Sequence, residues 1–110
     1  MKTQPTTSYL NVREYAERWT WRDRKTNQLM KGHNPPADAV NPERVPFHIL
    51  AVSESGHRIE GLVTCIKVNT RLQTRLVKWV EDYGDIKRDD IRWVFDKFII
   101  EIDGVRFITH

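Results

Sequence analysis

The chain has 110 residues, of which 39% are hydrophobic and 30% are charged, a balance typical of one globular domain rather than a disordered segment. It contains no apolar run near the roughly 18 residues that a membrane span needs, so we expect no membrane segment. Its single cysteine, Cys65, excludes a disulfide within the chain and a cysteine-based zinc site. A buried thiol of this kind is typical of a reducing compartment, so we expect a cytoplasmic protein.

The positive charge is unevenly distributed along the sequence. The formal net charge is +3, and residues 1–44 hold eight Lys or Arg against five Asp or Glu. Residues 45–110 hold ten of each sign. The basic excess therefore lies in the first two-fifths of the chain, which favours a polyanionic partner there.

The N-terminal part is predicted to be a flexible leader followed by a helical arm. Residues 1–10 are polar and are expected to form the leader, and residues 11–31 the arm. Asn11 with Glu14 three residues later fits a capping box. The apolar stripe that begins at Val12 and continues through Tyr15 predicts a helix near Asn11–Lys25 packed on the rest of the protein.

The next segment, residues 32–46, is predicted to be a connector between the helical arm and the remainder. It holds four of the five prolines of the chain, and it begins at Gly32, which suits a helix end.

From Phe47 onward the sequence predicts a β-rich core over residues 47–110. The runs "FHILAV" and "HRIEGLVTCIKV" are separated by the turn "SESG", and Gly61 within the second run predicts a bend or bulge. In "KFIIEIDGVRFITH", Asp103-Gly104 predicts a type I′ turn joining strands Phe98–Ile102 and Val105–Thr109.

Residues 70–94 support two interpretations. Leucine and aromatic residues repeat at helical intervals up to Gly84, but "RLVKWV" is rich in strand-forming residues. We favour a strand, a turn and a returning strand, with Ile91 and Val94 pointing inward together with Val77 or Trp79.

Four pieces, "FHILAVSESG", "HRIEGLVTCIKVN", "TRLVKWVEDYGD" and "IKRDDIRWV", resemble the SH3-like barrel of Tudor-type modules, over about residues 47–94. The resemblance implies an α+β fold in which the N-terminal helix packs on a small, mostly antiparallel barrel or strongly bent sheet with a C-terminal hairpin. Tudor-type modules bind methylated side chains in aromatic cages. Tyr83 matches the family's aromatic position, and Trp79 and Trp93 are its neighbours in sequence, so the three form a candidate aromatic patch.

A second stretch, "LNVREYAERWTW", resembles the opening helix of excisionase-type winged helix-turn-helix proteins. This resemblance implies DNA binding by a second helix over "RKTNQLMKG", with the hairpin from Phe47 as the wing.

Basic and aromatic residues alternate in "ERWTWRDRK", which is typical of a nucleic-acid-binding surface, although Trp19 also suits a core position. A second basic group on residues 71–78 is expected to be exposed and to form a basic edge. The predicted nucleic-acid-binding residues are Arg18, Trp21, Arg22, Arg24, Lys25, Arg71, Arg75 and Lys78.

The sequence shows no pattern typical of catalysis or metal binding. The acidic residues between Asp82 and Asp90 lack calcium-loop spacing, the four histidines are scattered, and there is no nucleophile elbow or phosphate loop. We therefore expect no enzymatic activity, no cofactor and no metal. The sequence favours a non-catalytic module that binds DNA or RNA. The alternative is an adaptor or structural subunit, of phage or mobile-element type, that binds a protein partner or itself through a sheet edge.

Overall fold

The structure, a computed structural model, describes residues 4–108. One short α-helix, α1, spans Val12–Ala16, and 3₁₀ turns span Tyr9–Asn11 and Asp96–Phe98. The strands are β1 (Thr6–Ser8), β2 (Trp19–Arg22), β3 (Leu29–Gly32), β4 (Val40–Arg44), β5 (Phe47–Val52), β6 (Arg58–Asn69), β7 (Thr74–Trp79), β8 (Ile91–Phe95), β9 (Ile99–Ile102) and β10 (Val105–Ile108).

The α+β prediction is wrong, because 52% of the described residues are in strands, 10% are helical, and the sheets do not close into a barrel. A seven-stranded sheet has the order β1-β10-β9-β5-β6-β7-β8, and a three-stranded sheet has the order β3-β2-β4. The fold is therefore mostly β, with the N-terminal third of the chain contributing strands to both sheets.

The helix predicted over Asn11–Lys25 begins at the expected place but ends at Ala16. Asn11 does not cap it, since its Nδ2 donates instead to Thr7 Oγ1 at 2.8 Å. Beyond Ala16 the aromatic and β-branched run that starts at Trp19 favours extended backbone, and it pairs as β2 with β3 and β4. The second helix that the winged-helix resemblance requires is absent from residues 24–32, which form a turn and β3.

The predicted leader and connector both contain strands. In the leader, β1 pairs in parallel with β10, and Gln4 donates to Glu101 Oε1 at 2.9 Å. Residues 1–3 of that prediction lie outside the described residues. In the connector, β4 pairs with β2 across an irregular register between Thr20 and Arg22.

The strand interpretation of residues 70–83 is confirmed, because Thr74–Trp79 form β7 between β6 and β8. The predicted C-terminal hairpin is also confirmed as β9 and β10. Asp103 and Gly104 have φ values of 49° and 83°, as a type I′ turn requires. Residue 109, predicted as the end of that hairpin, lies outside the described residues.

Of the bend or bulge predicted at Gly61, the bulge is absent from the pairing of β5 with β6, because Gly61 lies in regular register opposite Ile49. The register of β6 shifts instead between Cys65 and Lys67. Glycine is needed at position 61 for space, since a Cβ there would lie 2.3 Å from Trp79 Nε1.

The core lies on the inner face of the seven-stranded sheet and under α1. Trp79 is its largest fully buried side chain, and its Nε1 donates to Glu60 O at 3.0 Å. The inward orientation predicted for Ile91 is wrong, since that side chain is 54% exposed. The buried hydrophobic residues are Val12, Ala16, Trp21, Phe47, Ile49, Ala51, Ile59, Val63, Cys65, Val77, Trp79, Val94, Ile99, Ile102 and Phe107.

Candidate nucleic-acid interface

The hairpin formed by β2 and β3, residues 19–32, is named the basic ribbon here. Its strands are antiparallel, with Trp19 opposite Gly32 and Arg22 opposite Leu29. The turn between them is built by Asp23, whose Oδ1 accepts the backbone N–H groups of Lys25 and Thr26 at 2.8 and 3.0 Å. Side-chain bonds of this kind are the reason that aspartate is common in tight turns.

The ribbon and its flanks carry more positive charge than the whole chain. Residues 18–33 hold five Lys or Arg and one Asp, a net charge of +4 against +3 for all 110 residues. Four of these cations, Arg22, Arg24, Lys25 and Lys31, are exposed. Among the described residues, no carboxylate oxygen lies within 4.0 Å of a charged nitrogen of these four side chains. Their charge is therefore available to an external anion.

The one carboxylate in the ribbon, that of Asp23, accepts hydrogen bonds from backbone N–H groups of the turn. The hydrogen bonds from the backbone N–H groups of Thr26 and Lys25 lower the pKa of Asp23 below its usual value. Asp23 thus shapes the turn from which the side chains of Arg24 and Lys25 project.

Two arginines of the ribbon are tethered through backbone carbonyl groups. Arg22 Nη1 donates to Asn27 O at 3.2 Å, and Arg24 Nε donates to Asp38 O at 3.1 Å. A guanidinium has five N–H donors, so one such bond orients the group and leaves other donors for a phosphate.

One of the two tryptophans of the ribbon, Trp21, is not available for stacking on a base. Trp21 is 9% exposed, and a Cβ added to Gly32 would lie 3.0 Å from Cη2 of its ring. Trp19 is half-buried, and the guanidinium carbon of Arg44 lies 4.2 Å from the centroid of its ring. The Trp21 assignment from sequence is therefore corrected: its indole anchors the ribbon instead of contacting a ligand.

Two open cavities lie at the base of the ribbon, with volumes of about 590 and 450 Å³, and Arg18 and His33 line both. Arg18 Nε donates to Glu14 O at 3.0 Å, and its guanidinium carbon lies 5.1 Å from the centroid of the Tyr15 ring. Arg18 Nη1 also lies 4.0 Å from Asp103 Oδ2, an exposed pair of small energetic weight. Arg18 thus extends the basic surface from the ribbon toward α1.

The second predicted basic group is not one surface. Arg71 is exposed in the turn between β6 and β7, and Lys78 Nζ lies 3.9 Å from Asp89 Oδ1. The expectation that Arg75 is exposed is wrong, since this residue is 6% exposed.

Arg75 forms a buried charge cluster with Glu17 and Asp96. Its Nε donates to Asp96 Oδ1 at 2.9 Å, and its Nη1 donates to Glu17 Oε2. Burial opposes the charge of Arg75, but hydrogen bonds and attraction from the two carboxylates raise its pKa, whereas burial raises the pKa of Asp96. The cluster ties the segment after α1 to the seven-stranded sheet. Its partners are 58 and 21 residues away from Arg75 in sequence, so no local pattern signals it.

The candidate aromatic patch is also not one surface. Trp79 is fully buried, whereas Tyr83 and Trp93 are 40% and 47% exposed. Hydrogen bonding with the Glu60 carboxylate raises the pKa of the Tyr83 hydroxyl. Because Trp79 lies in the core, the three residues do not form an exposed aromatic cage.

Within residues 4–108, no three His, Cys, Asp or Glu side chains are grouped so that they could hold a metal ion. The same residues include no helix with the length and apolar character that crossing a bilayer requires. Burial raises the pKa of the Cys65 thiol.

Comparison of the chain with protein-family models, with curated proteins and with solved structures gives no match.

Proposed function

We propose that this protein is a non-catalytic module that binds duplex nucleic acid through its basic ribbon. The observation that carries the proposal is the concentration of a +4 net charge in residues 18–33, with four exposed cations that no described carboxylate pairs. A cytoplasmic location belongs to the same proposal and is supported by the buried thiol of Cys65.

The free edge of the ribbon can approach a duplex. Because β2 also pairs with β4, the parts of the ribbon that can reach a groove are the edge strand β3 and the turn at Asp23. The major groove of B-DNA is about 12 Å wide and admits protein elements of this size. Lys and Arg side chains that neutralise phosphates release condensed counterions, which supplies most of the affinity of sequence-independent binding. On the strand opposite Arg22, the exposed side chain of Leu29 offers an apolar contact to base edges.

The burial of Trp21 favours a duplex over a single strand. Proteins that bind single strands combine a basic surface with exposed aromatic rings on which bases stack. On the ribbon, Trp21 is buried, and Arg44 lies over the half-buried ring of Trp19. The exposed cations of the ribbon therefore offer mainly phosphate contacts.

The test is the salt dependence of binding to fluorescent duplex DNA, duplex RNA and single strands, measured by anisotropy. Four phosphate contacts predict that the logarithm of the association constant falls with the logarithm of salt concentration with a slope of about −3.6 for B-DNA. The combined variant Arg22→Gln, Arg24→Gln, Lys25→Gln removes three contacts and is expected to reduce that slope to about −1, with at least a tenfold loss of affinity at low salt.

The matched control is the combined variant Arg71→Gln, Lys87→Gln, Arg88→Gln. It removes the same charge from three exposed residues outside the ribbon. We expect this control to bind within about threefold of the unmodified protein, because its changes lie outside the proposed contact surface. Absence of binding to every nucleic acid at low salt, or equal losses in the two variants, would contradict the proposal.

A further inference from the structure

The strand β8 presents an unpaired backbone edge. Among the described residues its one neighbour in the sheet is β7. At its two ends, Trp79 N donates to Asp90 O at 3.0 Å and Asp96 N donates to Gln73 O at 2.9 Å. Backbone groups alternate in direction along an antiparallel strand, so those of Arg92 and Val94 face β7. The N–H and C=O groups of the remaining residues of β8 therefore point away from the sheet.

This edge lacks the features that protect other edges of the two sheets. The edge strand β1 has three residues, the edge strand β4 contains Pro42, which blocks continuous pairing, and the edge strand β3 has four residues and carries Lys31. In contrast, β8 has five residues, no proline and a regular register with β7. An open crevice of about 350 Å³ separates Trp93–Phe95 from the turn at Val52–Ser55.

The side chains on the outer face of β8 are apolar. Ile91 and Trp93 are 54% and 47% exposed, and Phe95 is half-buried beside them. Val94, which points to the inner face, is 1% exposed. The outward backbone groups and the apolar side chains thus belong to the same three residues: Ile91, Trp93 and Phe95.

We infer that β8 pairs antiparallel with β8 of a second copy of this chain, with Trp93 of each copy facing Trp93 of the other. In that register Ile91 lies opposite Phe95 of the second copy, and the outward groups of the three residues form about six N–H···O bonds. A shift by two residues leaves one of the three residues without its apolar counterpart and reduces the number of bonds. In this register, the apolar side chains of β8 and its outward N–H and C=O groups each face matching groups of the second copy.

The charges that flank β8 support a second copy as the occupant. Asp89 and Asp90 directly precede the strand, with Lys87 and Arg88 before them, and Lys97 follows it. In the proposed register Asp89 of each copy lies opposite Lys97 of the other, which favours this orientation. The nearest acidic residue at the C-terminal end, Asp96, is turned inward to Arg75 and does not oppose this attraction.

Disulfide trapping tests the proposed register. In a hydrogen-bonded antiparallel pair the Cα atoms are about 5.5 Å apart, which is within the range that a disulfide spans. The variant Trp93→Cys is therefore expected to form covalent dimers under mild oxidation. The control Ile91→Cys places its thiol on the same exposed face, but the two Ile91 positions are about 13 Å apart along the paired strands, so we expect cross-linking at least tenfold slower. Cys65 is fully buried and does not compete.

Sedimentation velocity over a range of concentrations provides the second measurement. The variant Trp93→Pro removes one outward N–H group and keeps the hydrogen bonds of β8 to β7. We expect it to raise the dissociation constant of the dimer at least tenfold. The variant Trp93→Val keeps that N–H group, so we expect a smaller increase. Circular dichroism checks that both variants are folded. A protein that stays monomeric at about 1 mM, a concentration at which even weak interfaces associate, or equal cross-linking of the two cysteine variants, would overturn the inference.

Discussion

Replacement of Arg75 by methionine is expected to lower the free energy of unfolding by about 3–5 kcal/mol. The change removes the buried cation, leaves the half-buried carboxylate of Asp96 unpaired and, among the described residues, leaves Glu17 with only its 4.0 Å contact to Arg13. Chemical denaturation followed by tryptophan fluorescence measures the loss. The control Arg71→Met changes the same residue type at an exposed position and is expected to shift stability by less than about 0.5 kcal/mol.

The source of this loss is tested by a compensating variant. Adding Glu17→Gln and Asp96→Asn to Arg75→Met neutralises both carboxylates, and we expect it to recover at least half of the lost stability, because buried ion clusters are often replaced by neutral groups at little cost. Equal stability of Arg75→Met and the unmodified protein would show that the cluster does not hold the N-terminal segment on the sheet.

The variant Gly61→Ala is expected to lower the free energy of unfolding by about 3 kcal/mol. The added Cβ would lie 2.3 Å from Trp79 Nε1, in the core, and the φ of +145° is one that residues with a side chain rarely adopt. Relief requires the Trp79 ring to move, which breaks its hydrogen bond to Glu60 O.

The control for this variant is Gly84→Ala. Gly84 also has a positive φ, of +56°, but a Cβ there meets no atom within 4 Å. We expect it to cost about 1 kcal/mol, so the difference between the two variants measures the crowding against Trp79. Equal losses in thermal denaturation would mean that backbone conformation alone explains the glycine at position 61.

The elements that could be predicted from the sequence are those whose determinants are local. Asp103-Gly104 specifies its turn by itself, and the adjoining apolar strands follow from it. The strand at Thr74–Trp79 was recognisable from its β-branched and aromatic residues despite a competing helical spacing.

The predicted N-terminal helix was wrong because tertiary pairing decided its second half. The stripe from Val12 to Trp19 fits a helix, but Trp21 becomes buried only when β2 lies between β3 and β4. Burial of one large aromatic side chain contributes about 2–3 kcal/mol, which exceeds the small differences in helix propensity. The strand β2, which starts at Trp19, is stabilised by pairing with Val40–Arg44, about 20 residues later in the chain. Pairing with so distant a segment is not visible in the spacing of apolar residues around Trp19.

The candidate site was predictable in part. Arg22, Arg24 and Lys25 were identified from sequence and lie together on the basic ribbon, whereas Lys31 was missed because it joins them only through the register of β2 and β3. Arg75 was misassigned because its carboxylate partners are distant in sequence. The resemblance of residues 47–94 to Tudor-type modules stays a prediction.

Backbone amide chemical shifts during titration with a short DNA duplex at low salt test the central claim most directly. The account predicts that the largest changes fall on residues 18–33, and that the turn around Arg71 and the strand β8 change little. Changes centred on the seven-stranded sheet, or no change at any residue, would contradict the assignment of the basic ribbon as the binding surface.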